Sequence, residues 1–120
     1  APSGALVTKM IEALAARDAA SALSAIDTAL AYNIDMAVYA KLIMQAIRHV
    51  LLLRNAPAMR DRVAAETTPE ELTYREKLAK EKTITSETLL AFLDAYQSIP
   101  RAHLPQIPLE VAVIRLLGEK

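Results

Sequence analysis

Apolar side chains in this sequence return every third or fourth residue, the period of a helix lying on a core. Leu6, Val7, Met10, Ile11 and Leu14 predict a first helix from Ala5 to Ala16. Asp18 is placed to cap a second helix with a stripe of Leu23, Ile26 and Leu30, among alanines that let a neighbour approach closely; it ends near Asn33. Asp35 caps a third and longest helix, Met36 to Arg54, whose wide stripe includes Tyr39, Leu42, Ile43, Ile47, Val50 and Leu51.

At about 100° per residue, the wet strip of that long helix is Lys41, Gln45, Arg48 and His49. Leu52 falls on the same strip, and Met44 and Leu53 flank the apolar stripe, leaving more greasy positions than one core requires. Pro57 breaks the chain. Residues 60–82 then carry twelve charges, six of each sign, among few large apolar groups. Within them Thr68, Pro69 and Glu71 spell a capping box with proline in the first turn, and Glu71–Arg75 and Glu76–Lys80 are supportive pairs four apart. The expectation is a solvated helix. A fifth starts at Thr85 or Ser86, shows Leu89, Phe92, Leu93 and Tyr96 on one face and stops before Pro100.

The closing stretch HLPQIPLEVAVIRLLGEK sets Pro105 and Pro108 ahead of a short helix with Glu110 near its start and Gly118 as its stop. Leu109, Val111, Ala112, Val113, Ile114, Leu116 and Leu117 occupy every direction of its wheel, with only Glu110 and Arg115 as breaks. Such a helix has to be enclosed by others, from this chain or from a neighbour.

With 120 residues, 53% hydrophobic and 4% aromatic, the chain is expected to fold as all-α: a single compact helical domain of five or six helices spanning 1–120. The opening APSG, without an initiator Met, suggests a processed product or a fragment of a longer protein. Charge is balanced at zero, with six basic against four acidic residues in 1–60 and eight against ten in 61–120. No one-sided basic surface for nucleic acid results, and no polybasic patch for a membrane. Lys41, Arg48 and Arg54 interrupt the most apolar region, so no bilayer-spanning run is expected.

The only glycines are Gly4 and Gly118, which rules out GxxxxGK, GxGxxG and GxSxG loops. No cysteine is present, and His49 and His103 have no partner at metal-ligand spacing; each is expected to be satisfied or solvent-facing. Glu70 and Glu71 lie in the charged stretch, where a catalytic carboxyl lacks the burial that shifts its pKa. Arg48, Arg54, Arg60 and Arg62 could meet a phosphate backbone, but no aromatics interleave them and Asp61 separates two; surface solubility accounts for them.

The segment IPRAHLPQIPLEVAVIRLL resembles the end of the C-terminal helical domain of the gamma/tau subunits of the bacterial DNA polymerase III clamp loader. Leu104, Pro105, Gln106, Ile107, Pro108, Leu109, Glu110, Val111 and Ala112 match that family's proline-rich run. The order of ALVTKMIEALAARDAASAL, IRHVLLLRNA, a charged stretch and SETLLAFLDAYQSIP is similar through essentially the whole chain. The resemblance implies a clamp-loader collar domain that oligomerises and is not itself an enzyme, with ATP and Mg handled in an upstream module. Other gamma/tau copies and the delta and delta-prime subunits would be its partners, in the cytoplasmic bacterial replisome.

The family motif fixes no individual contact. From the wheels, the expected subunit interface is Met44, Gln45, Arg48, Leu52, Leu53 and Arg115. Another reading is a stand-alone adaptor that takes a partner's amphipathic helix in a groove beside the third helix; an upstream GxxxxGK module in the reading frame separates the two. A small helical enzyme with buried carboxylates finds no acid in an apolar setting.

Overall fold

Residues 2–118 are described by a computed structural model, in the order α1 (Pro2–Ala16), α2 (Ala19–Ala31), α3 (Met36–Asn55), α4 (Arg60–Ala64), α5 (Pro69–Ala79), α6 (Ser86–Ser98) and α7 (Ile107–Val113). Short polar side chains start α2, α3, α5 and α6. Asp18 accepts from the Ser21 amide and Asp35 from the Val38 amide, each at 3.0 Å. Thr68 Oγ1 accepts from the Glu71 amide at 3.2 Å, while Glu71 Oε1 accepts from the Thr68 amide at 3.2 Å, the reciprocal capping box expected for α5. The Thr85 amide donates to Thr88 Oγ1 at 3.1 Å ahead of α6.

Helices α1 and α2 end alike. Arg17 and Asn33 take left-handed φ values of 56° and 59°. That reversal lets the Asp18 amide reach the Ala13 carbonyl at 2.8 Å and the Ile34 amide reach Ala29 at 3.0 Å, satisfying carbonyls that a helix end leaves open. The result is two sharp corners that fold α1, α2 and α3 back on one another.

Helix α3 is the axis of the fold, packed on α1, α5 and α6, and α7 lies against both α2 and α6. Met10, Ile26, Tyr39, Ile43, Phe92 and Leu109 have 1% exposure or less, and each such large side chain contributes about 1.5–3 kcal/mol by leaving water. The Tyr39 hydroxyl donates to the Leu6 carbonyl at 2.9 Å, so α1 and α3 share a buried polar tie; burial raises its pKa and keeps it a donor. On α2 the buried face is Ala22, Ala25, Ile26 and Ala29, while Leu23 and Leu30 are half-buried. The small side chains bring α1 close, and the leucines flank that seam.

Three sequence expectations change. Among the described residues seven α-helices replace five or six, because α4 has only five residues, too few for a legible period, and holds its place through buried Val63. The charged stretch is not simply solvated: Leu72, Arg75 and Leu78 of α5 are buried against α3. By length and composition α3 is apolar enough to cross a bilayer, but half of its most apolar window is buried, as the central helix of a globular core requires.

Candidate interaction surface

The apolar wheel of α7 is only partly covered. Pro108, Leu109, Ala112 and Val113 are buried in the chain, whereas Val111 is 46% and Ile107 38% exposed. Leu104, before the helix, is 44% exposed and Ile114, in the π-helical turn Ile114–Gly118 that extends it, is 39% exposed. The uncovered side chains therefore follow one another from 104 to 114 at roughly helical spacing. Ile107, Pro108, Val111, Ala112 and Arg115 form one wall of a groove of about 460 Å³, with Ala91, Asp94, Ala95 and Ser98 of α6 opposite. Arg115 Nη1 and Asp94 Oδ2 stand 3.4 Å apart across it, both more than half exposed, so the pair adds little to stability. An apolar strip with a polar rim is the composition of a protein contact surface.

The surplus apolar residues on α3 are covered to a greater extent from within. Leu53 is 9% exposed and packs with Val63 and Leu72 in a small second cluster, to which Leu52 is joined at its edge. Met44 is half-buried against the main core. Gln45 and Arg48 both turn to Glu66, at 3.4 and 3.3 Å. Of the six residues expected at an interface, Arg115 alone lies in the α6–α7 groove, and Leu104, Ile107, Val111 and Ile114 stand out beside it.

A second constellation surrounds His49, which was placed on the wet strip and is fully buried. Its Nε2 lies 2.8 Å from Glu66 Oε1 and its Nδ1 2.8 Å from Arg75 Nη1. A guanidinium can only donate, so Nδ1 accepts and Nε2–H donates: the ring is neutral and its tautomer is fixed by its neighbours. Burial lowers its pKa, and the Glu66 hydrogen bond opposes that shift. Arg75, itself buried, also donates to Thr67 Oγ1 at 3.2 Å, and Glu71 Oε2 is 3.9 Å away. The His49 hydrogen bond holds Glu66 below the usual carboxylate range, and the Thr67 hydroxyl does the same for Glu71. Among the described residues every buried side-chain nitrogen and oxygen has a partner, and no cluster of three His, Cys, Asp or Glu could hold a metal.

The arginines expected on the surface also have internal work. Arg54 donates to the carbonyls of Ala79, Glu81 and Ile84, tying the α5–α6 connection to the end of α3. Arg60 binds Glu76 at 2.7 Å, taking the carboxylate that α-helical spacing had assigned to Lys80. These contacts favour an architectural role for the polar side chains; Tyr32, Val38, Leu42, Leu90 and Leu93 are also exposed, and the 104–114 strip differs from them in lining the α6–α7 groove through Ile107 and Val111.

Residues 3–120 match the family model described as DNA polymerase III subunits gamma and tau domain III. The chain belongs to that family. Neither the curated proteins nor the solved structures provide a match. As a gamma/tau domain III, it matches almost end to end, and the matched residues include the proline-rich run that leads into α7. In the fold that run becomes the turn placing Leu104 and Ile107 beside the groove, which joins the stretch that carries the family resemblance to the exposed apolar strip.

Proposed function

We propose that this chain is the oligomerisation, or collar, domain of a clamp-loader gamma/tau subunit, and that the 104–115 strip beside α6 is part of its contact with neighbouring subunits. The observation that carries the reading is the coincidence of family membership with an exposed apolar edge on α7. In this reading other gamma/tau copies, delta and delta-prime are the partners in the bacterial replisome, and the domain performs no chemistry. ATP and Mg belong to an upstream ATPase module, whose motions the collar converts into opening and loading of the sliding clamp by keeping the modules in fixed order. Gln45, Arg48, Met44 and Leu52 stand as candidates for a second contact along α3, since a closed ring needs two different faces on each subunit.

The test is reconstitution of the gamma/tau subunit with delta and delta-prime, followed by native mass spectrometry. Val111→Asp places an unpaired carboxylate in the strip and should lower assembly at least about tenfold, as expected for a charge buried without a partner. Unaltered assembly by a folded Val111→Asp subunit would remove the strip from the interface. Binding of an isolated amphipathic helix in preference to the subunits would favour the adaptor reading.

A further inference from the structure

We propose that His49 is a proton-sensitive latch that holds α5 and the α4–α5 turn on the central helix and releases them on acidification, leaving the main core folded. The geometry is a neutral imidazole bridging two elements distant in sequence. Nε2–H donates to Glu66 on the turn and Nδ1 accepts from Arg75 on α5, each at 2.8 Å. A proton added to the ring must go to Nδ1, where it points an N–H at a guanidinium N–H. The hydrogen bond is then lost and two cations face each other in a buried site.

The charged and titratable groups facing the ring are Glu66 from the turn, Arg75 from α5 and Arg48 from its own helix; Glu71 acts on it through Arg75. Glu66 favours the protonated ring, while Arg75, Arg48 and burial disfavour it, and the balance lowers the pKa of His49. The segment that would move is held by the small cluster of Leu53, Val63 and Leu72 and, on α5 itself, by Leu78 in the main core with Tyr74 and Ala79 half-buried against it, fewer apolar anchors than α1, α2, α3, α6 and α7 contribute to that core. Loss of one polar bridge therefore weighs more on α5 than on the rest of the fold.

With the folded-state pKa below the unfolded value near 6.5, the unfolded or released state binds the extra proton. Stability from His49 is complete above about pH 6.5 and falls as pH drops toward the folded pKa. Glu66 and Glu71, both lowered, lose their contributions only below about 4.5, so pH 7.5 to 5.5 isolates the histidine.

Amide hydrogen exchange of the chain, corrected for intrinsic rates, tests the latch across that window. Protection in α5 should fall by up to about tenfold per pH unit below 6.5 and be lost while α2 is still strongly protected, because α2 opens only in global unfolding and starts from a larger protection. His49→Gln, whose amide can both donate and accept without titrating, should flatten the α5 profile. Equal protection of α5 and α2 at every pH, which would mean that they open together, or an α5 profile that is flat in the native chain, would overturn the proposal. Should His49→Gln fail to fold, imidazole nitrogen spectra of the native chain decide: an Nε2–H tautomer at pH 7.5 that protonates as α5 amides lose protection supports it. An imidazolium or an Nδ1–H tautomer at pH 7.5 refutes it.

Discussion

Helices α5 and α7 are both short, and each contradicts its own composition. α5 is densely charged yet turns Leu72, Arg75 and Leu78 into the protein; α7 is almost wholly apolar yet leaves Ile107 and Val111 in the open. The difference lies in how each uncovered or covered group is satisfied. On α5 the buried guanidinium has three polar neighbours within the chain, His49, Thr67 and Glu71. On α7 the outward side chains can only be relieved by another apolar surface. Charge on a helix therefore does not imply solvent, and an apolar wheel does not imply that one chain supplies every wall.

Substitutions can break this contrast at graded cost. Leu109→Ala, at the fully buried centre of the α7 contact, should be the most damaging, losing about 2–5 kcal/mol of unfolding free energy in a denaturant titration. Arg75→Ala should follow at about 1–3 kcal/mol, because it strands the acceptor nitrogen of a buried histidine. Thr68→Ala, removing one half of the capping box, should cost about 1 kcal/mol and appear chiefly as faster exchange in the first turn of α5. Val111→Asp should leave the free chain within about 0.5 kcal/mol of the parent, although the same change is expected to hinder assembly. A stability loss of several kcal/mol in that variant would mean that Val111 serves the chain's own core.

Much of this was legible in advance where the signal is local. Asp18, Asp35 and Thr68 with Glu71 announce helix starts because a cap acts within three residues, and all three sit where the sequence puts them; of Thr85 and Ser86, the structure makes Thr85 the cap and Ser86 the first helical residue. Proline-rich residues 104–112 carried the family resemblance, which the match over residues 3–120 bears out. His49 was misplaced because the wheel puts it beside Lys41, Gln45 and Arg48, and its partners lie 17 and 26 residues away with no local pattern to reveal them. The start of α1 at Pro2 rather than Ala5 was hidden by Pro2, Ser3 and Gly4, which look like a loop although proline fits a first helical turn. For α7 the wheel has no polar side, so it offers no means of choosing which apolar residues stay exposed.

Side-chain footprinting of the assembled clamp-loader subunits tests the main claim most directly, by comparing labelling of Leu104, Ile107, Val111 and Ile114 in the free chain and in the complex. All four should be labelled when the domain is alone, and at least Ile107 and Val111 should become protected on assembly, with Leu109 silent in both states. Equal labelling of the strip before and after a complex has formed would contradict that claim.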